Sequence, residues 1–495
     1  MGLLSQIQAC DGMTASRDKR RASSNQQDEI SEPSLTMDIW CHIHSLLPMR
    51  DAARVACVSR AFAHSWRCHP NLTFSEDTFG LDENTCQEDN IMRCFTNKVD
   101  QILKHHSGIG VKTFNLQVYS VYDEKDNCHL LRLDSWLQIV VKRGIEELVL
   151  NPLGIMGAKY NFPCSLFSDD AGESLQHLSL TVCEFHPTVK IGCLKSLTTL
   201  QLHIVHIEDG ELECILASSF TLEKLDLMYC SEIIFLKIPC LQRLSCLEVS
   251  TCSKLKAIES KAPNLSSFRF AGDLHVKLSL GKALKIKELY RQCKDAAYYA
   301  RTELPSRMPN LERLSIYSQT EAVNAPILPS KFLHLKYLVI ALDRMDYDFL
   351  SLVSFFDASP SLETFTLDVI PGLREPVSIF DDPSALRMMP EHHQNKLKSV
   401  HINNFSSART LVELTCHIVV STKSLECLTL DTNKGWPKCS DDEETDSCFL
   451  MSEAALAEAE RALSAVQTYV KPKVSYTVEL NVLEPCSQCH ADEEL

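Results

Sequence analysis

"LEKLDLMYCSEIIFLKIPCLQRLSCLEVSTC", residues 222–252, holds one pattern twice: Leu222-x-x-Leu225-x-Leu227, then 22 residues later Leu244-x-x-Leu247-x-Val249. The alternation of apolar and polar residues that closes each copy is the period of a β-strand with one buried face. So short a strand buries too little to stand alone, and its return at a fixed distance implies like units stacked on one another.

Working outward from this stretch, the same pattern appears as VKTFNL at 111, IEELVL at 145, LQHLSL at 175, LTTLQL at 197 and LSSFRF at 265. A weaker IKELYR at 286 precedes LERLSI at 311, LKYLVI at 335, LETFTL at 362, LKSVHI at 397 and LECLTL at 425. Thirteen copies, separated by steps of 21 to 35 residues, mark a leucine-rich-repeat solenoid spanning 111–432. The fold class expected is an α/β solenoid, a horseshoe with parallel strands on its concave face. An ordinary α/β domain needs regular crossover helices, for which many of these spacers are too short. A chain with 15 glycines in 495 residues also lacks the Gly-rich turns of nucleotide-binding α/β folds.

The flanks read differently. Residues 1–32 are polar and expected to be disordered. From Leu35 the period is helical, with Ile39, Ile43, Leu46 and Leu47 on one face and Pro48 as the stop. Asp51 is the expected cap of a second helix bearing Ala52, Ala53, Val55 and Ala56, and Ser59 of a third bearing Phe62 and Trp66. Three helices within 33–74 form too small a unit to bury a core alone, so a packed neighbour or a partner is implied. An acidic linker and an entry helix with Phe95, Val99, Ile102 and Leu103 fill 75–110. Beyond an acidic loop at 433–450, a helix with a stripe of Leu456, Leu463, Val466 and Val470 ends at Pro472. Then Val474, Tyr476, Val478, Leu480 and Val482 alternate as one strand face, and helix and strand together, within 451–495, are the expected C-terminal cap of the solenoid.

A net charge of −16 opposes binding to nucleic acid or an anionic membrane, because phosphates are repelled. No apolar stretch is long enough to span a bilayer, and no secretory h-region is visible near Met1, so the expected location is cytoplasm or nucleus. In a reducing compartment the 22 cysteines read as small buried hydrophobes, not as a disulfide framework.

Catalytic patterns are missing: no phosphate-binding loop, dinucleotide fingerprint, nucleophile elbow or zinc-protease helix occurs. CSQCH at 486–490 matches a haem-attachment pattern, but it supplies only Cys486, Cys489 and His490 toward a zinc site, and neither metal nor cofactor is expected. A repeat array offers a surface instead. The residues that alternate with the inward leucines face outward, and Gln201, His203, Asp226, Glu248, Arg269, Arg313, Tyr317, Tyr337, Asp368 and His401 are the candidate substrate-binding positions. Mixed charge with scattered aromatics suits recognition of protein.

Residues 35–74, LTMDIWCHIHSLLPMRDAARVACVSRAFAHSWRCHPNLTF, resemble the F-box. Followed by repeats of this kind and by the ending TYVKPKVSYTVELNVLEPCSQCH, the chain resembles plant F-box and leucine-rich-repeat proteins of the type abundant in grasses. The resemblance implies a non-catalytic substrate-recognition subunit of a ubiquitin ligase, docked on a Skp-family adaptor and through it on a cullin, with the repeats holding an unidentified protein substrate. Positions matching the adaptor-facing or core pattern of the F-box are Leu35, Ile39, Ile43, Leu46, Leu47, Pro48, Ala52, Ala53, Val55, Val58 and Phe62. The family's first Leu-Pro is Leu35-Thr36 here, and Met37 replaces an acidic residue before Asp38. Thr36 is still suited to cap the helix and Asp38 to its positive end. A second reading is an interaction scaffold or small-molecule sensor without ubiquitin transfer.

Overall fold

The computed structural model describes residues 36–486, apart from 59–64, 82–87, 108–109, 119–127, 143, 152–159, 168–169, 188–193, 282–284, 319, 322–323, 327, 343–346, 371–376, 382–383, 388, 390–394 and 434–449. Two compact units divide the chain: Met1–Asn264 with Lys277–Gly281, and Leu265–Val276 with Lys282–Leu495.

The first unit begins with helices Met37–Ser45 and Met49–Ala56. Thr36 stands at the N-cap in extended conformation, its carbonyl accepting from the Ile39 and Trp40 amides, while its side chain makes no capping bond. Pro48, not the expected Asp51, occupies the N-cap of the second helix. Its ring fixes φ at −54°, which stops one helix and starts the next, and Asp51 lies in the first turn, 3.5 Å from Arg54. Met49, Ala52, Ala53 and Ala56 are buried.

The following strand, Asn71–Ser75, is where the structure departs from the sequence reading, which gave these residues to the helical segment and the linker. It pairs in parallel with Thr113–Gln117 and buries Leu72 and Phe74, so the parallel array starts one rung early. His69 stands where later rungs carry their first apolar residue, and that polar residue hid the pattern; it is buried, and its ring nitrogens lie 2.9 Å from the Asn71 carbonyl and 3.3 Å from that of Leu47. The helices are seated on this rung: Thr73 N–H donates to Met49 Sδ at 3.3 Å, and Asn71 Nδ2 donates to the Ser45 carbonyl at 3.1 Å. Short helix Glu76–Phe79, capped by Ser75, and helix Glu88–His105 follow; Phe79 packs edge-on against Phe95, and Val99, Ile102 and Leu103 are buried as expected.

From there the ladder continues in parallel through Glu147–Asn151, His177–Glu184, Thr199–His206, Lys224–Met228 and Cys246–Ser250. The register matches motif to motif, so Leu148, Leu178, Leu200, Leu225 and Leu247 form one buried row. A smaller parallel sheet of Phe235–Ile238, Ala257–Ser260 and Lys277–Ser279, not foreseen from the motif, buries Leu236 and Ile258.

A left-handed corner recurs at a constant place, interrupting the pairing inside strands His177–Glu184 and Thr199–His206 and standing just past the end of the shorter ones. Val182, Ile204, Tyr229 and Thr251, and Asn404 in the second unit, have φ between 52° and 56°, and each stands seven residues after the first leucine of its motif. Such a backbone costs an L side chain roughly 1–2 kcal/mol. It persists where the ladder on either side over-determines it.

In the second unit, strands Ser267–Ala271, Glu288–Gln292, Arg313–Ser318, Tyr337–Leu342, Thr364–Val369, Ser399–Asn403, Cys427–Asp431 and Glu479–Leu483 pair in parallel. Helices Ala296–Arg307, Val353–Ala358 and Arg409–Ser421 lie between them in the chain. Two buried arginines tie helices to loops. Arg301 is fully buried and donates to the carbonyls of Ser354, Ser330 and Leu328. Glu413, also fully buried, accepts from Arg409 Nε at 3.1 Å and Arg387 Nε at 2.8 Å, and Arg387 reaches on to Asp348 at 2.9 Å.

The C-terminal segment corrects two expectations. Helix Glu453–Ala465 and the turn Val466–Val470 bury Ala459, Ala462, Ala465, Val466 and Val470, while Leu456 and Leu463 are only half-buried. The strand covers only Glu479–Leu483, and Tyr476 is fully exposed. Alternation alone does not make a strand: the neighbouring strand Cys427–Asp431 offers five residues, and all five are paired by Glu479–Leu483.

Candidate protein-recognition surfaces

The helical segment at 36–58 sorts its candidate residues into two sets. Ala52 and Ala53 are fully buried by the chain itself, which makes them core positions. Leu46 is 72% and Val58 77% exposed, Ile39 and Pro48 are exposed, and Ile43, Leu47 and Val55 are half-buried. Leu35 and Phe62 lie outside the described residues. Large apolar side chains held in water are stabilised when another apolar surface covers them, and here they are concentrated in one short segment.

On the outward face of the first unit, register brings Gln201, Asp226 and Glu248 into one row. They are joined sideways. His177 Nε2 lies 3.1 Å from Gln201 Oε1, Gln201 Nε2 donates to Asp226 Oδ2 at 3.3 Å, and Lys224 Nζ reaches Glu248 Oε1 at 3.0 Å. His203 Nε2 stands 3.4 Å from the Asp226 carboxylate. Burial pushes the Asp226 carboxyl up, but the nearby His203 ring, with Lys224 and Gln201, outweighs it and holds it below the ordinary carboxylate range. Short side chains sink below this layer: Ser179 and Thr181, which alternate with the inward Leu178 and Leu180, are buried beside Gln201 and His203. The result is a fixed polar lattice suited to hydrogen bonding with a polypeptide.

On the second unit the outward face is different in kind. Arg269 lies over the Tyr290 ring at 4.6 Å and Arg313 over the Tyr337 ring at 4.2 Å, each pair being direct partners on adjacent strands. Glu288 stands 3.6 Å from Arg313, and Tyr290 donates to Gln292 at 3.0 Å. Tyr317, Asp368 and Asn403 share a row, with Asn403 donating to Asp368, and His401 lies in the row of Tyr290 and Ser315. Stiff aromatic and arginine side chains of this type carry most of the energy in protein interfaces.

Sequence reasoning passed over Tyr290, Glu288 and Gln292, because the rung IKELYR ends in Arg291 where the others end in an apolar residue. Counting forward from Ile286 by position alone finds them. No group of three or more metal-ligating side chains among the described residues could hold a metal ion, and Cys489 and His490 lie outside them. No helix of the described residues is long and apolar enough to cross a membrane.

Short parallel strands with position-for-position leucine rows, a left-handed corner at a fixed place and an outward polar face define a leucine-rich-repeat protein. The family model described as "At1g61320/AtMIF1, LRR domain" matches residues 102–487, and the chain belongs to this family. Its relatives in Arabidopsis thaliana include the F-box/LRR-repeat protein At4g14096, 25% identical over 48% of this chain and 49% of that protein. The F-box/LRR-repeat protein At3g26922 is 23% identical over 51% of this chain and 78% of its own length. The F-box/FBD/LRR-repeat protein At3g26920 is 23% identical over 78% of this chain and 83% of its own. The match to At4g14096 thus spans about half the length of that relative. The resemblance to plant F-box and leucine-rich-repeat proteins holds.

Proposed function

We propose that this chain is the substrate-recognition subunit of a Skp-cullin-F-box ubiquitin ligase. The observation that carries the reading is the pair of faces at 36–58: Leu46 and Val58 stand in solvent, while Ala52 and Ala53 are packed inside. Helices Met37–Ser45 and Met49–Ala56 are the first two of the F-box, and their outer face receives a Skp-family adaptor and, through it, a cullin. The outward faces of the repeats receive a protein substrate, and the Glu453–Ala465 helix with the Glu479–Leu483 strand closes the array. The chain performs no bond chemistry and takes no cofactor. Holding substrate and a ubiquitin-charged enzyme on one assembly replaces a bimolecular encounter with a tethered one, which raises effective concentration without any group of altered reactivity. It does so in the cytoplasm or nucleus.

Capture of a co-expressed Skp-family adaptor tests this. The full chain is expected to retain it; the double variant Leu46→Asp, Val58→Asp is expected to lose it with an unchanged unfolding midpoint. Equal capture by the variant, or none by the parent chain, overturns the reading.

A further inference from the structure

Three cysteines fall at one place in the repeat: Cys183, Cys230 and Cys252 each stand eight residues after the first leucine of LQHLSL, LEKLDL and LSCLEV. The rung between the first two carries Val205 there, but Cys230 and Cys252 occupy consecutive rungs. Met228 and Ser250 are paired across these strands, and Tyr229 N–H donates to the Ser250 carbonyl at 2.9 Å. Tyr229 and Thr251 then turn with the same left-handed φ, 55° and 54°, so the two chains leave the sheet together and their registry carries on to the cysteines. Adjacent strands run about 4.8 Å apart, inside the Cα separations of roughly 4.4–6.8 Å that a disulfide spans.

The two thiols act on each other, each being the leading influence on the other's ionisation. Cys252 Sγ lies 3.6 Å from the Ser250 carbonyl, the same carbonyl that accepts from Tyr229 N–H. Cys230 is fully buried, its Sγ 3.2 Å from the Leu202 carbonyl, whereas Cys252 is half-buried. The pair is therefore unequal. The neighbouring Cys252 and burial raise the Cys230 thiol, and the neighbouring Cys230 lowers that of Cys252. The more reachable sulfur is the one favoured as thiolate, the form that reacts with oxidants.

We propose that Cys252 and Cys230 are a hydroperoxide-sensitive pair that closes to a disulfide between adjacent rungs. The Cys252 thiolate attacks the peroxide O–O bond, giving Cys252 sulfenic acid and hydroxide. Cys230 sulfur then displaces the sulfenic oxygen, which leaves with the Cys230 proton as water. Two electrons pass from the two sulfurs to the peroxide, and a dithiol reductant reverses the reaction by thiol-disulfide exchange.

Hydrogen peroxide titration of the full-length protein, followed by alkylation and tryptic digestion, tests this. Peptides 225–237 and 244–254 carry the two cysteines, the second also holding Cys246. They are expected to be recovered as one species short of two hydrogens and to separate after dithiothreitol. Cys246→Ser keeps the link. Cys252→Ser abolishes it and leaves Cys230 a thiol, and Cys230→Ser leaves a Cys252 sulfenic acid that dimedone traps. The proposal fails if Cys230 and Cys252 stay alkylatable while exposed Cys214 and Cys240 oxidise, or if the link survives in Cys252→Ser through Cys246.

Discussion

The guanidinium of Arg291 lies 4.2 Å from the centre of the Phe270 ring, in the inward row where the flanking strands place Phe270, Ile316 and Ile340. It is buried, donates to the Phe270 and Asp273 carbonyls at 3.3 and 3.2 Å, and burial lowers its pKa. A buried cation held by carbonyls and a ring gains less than its desolvation costs. Arg291→Met, which keeps the stem and removes the charge, is expected to equal or exceed the parent in guanidinium-chloride midpoint. Arg291→Ala, which leaves a void, is expected to lose about 2–5 kcal/mol.

Glu413 is the reverse case, a buried anion with two arginines on it. Removing it takes the buried carboxylate from both, leaving Arg387 on Asp348 and Arg409 on the Ser384 and Ala385 carbonyls. Glu413→Ala is expected to cost about 3–5 kcal/mol in chemical unfolding, and limited proteolysis should newly cut near Arg387, whose amide and side chain both donate to Glu413.

Glu321 makes stability depend on pH. Burial pushes its carboxyl up to about 7, against the hydrogen bond from Ala297 N–H and the nearby Ser318 hydroxyl, which pull it down. In the unfolded chain it ionises near 4.5, so between the two values the native state binds more protons. Stability therefore falls as pH rises through that window and stays reduced above it, by about 3 kcal/mol. Glu321→Gln, which can still accept from Ala297 N–H, is expected to flatten this dependence in unfolding curves taken at pH 5, 6, 7 and 8. An unchanged slope would place the titration elsewhere.

Ile204 shows the backbone's share. Its φ is 56° and its side chain is 45% exposed, so little packing is lost on replacement. Ile204→Asn is expected to raise stability by about 1 kcal/mol in thermal unfolding, because asparagine tolerates the left-handed region that a β-branched residue resists.

The leucine spacing was enough to read the ladder, since inward residues repeat whatever the loops between them do. It failed where polarity and position disagree. His69 and Arg291 are buried in apolar places, so the rung at Asn71–Ser75 went unseen and the outward residues Glu288, Tyr290 and Gln292 were passed over. At Val474 to Val478 the converse held, with good alternation and no strand left to pair. Ion pairs such as Arg387 with Glu413, 26 residues apart, follow from how loops fold back and leave no periodic trace. The face positions from Gln201 to His401 were legible because alternation fixes them. How Arg269 stacks on Tyr290 was not, because it depends on which strands become neighbours.

The left-handed corners have a bearing on diversification. Hydrogen bonds on both sides of each corner set its backbone, so the residue there answers to φ and to whatever lies beyond the rim, and not to the hydrophobic interior. Val182, Ile204, Tyr229, Thr251 and Asn404 already show five side chains of unlike size and polarity at one structural address. A library randomised at those addresses would vary the border of each unit's outward face while the leucine rows behind it stayed untouched.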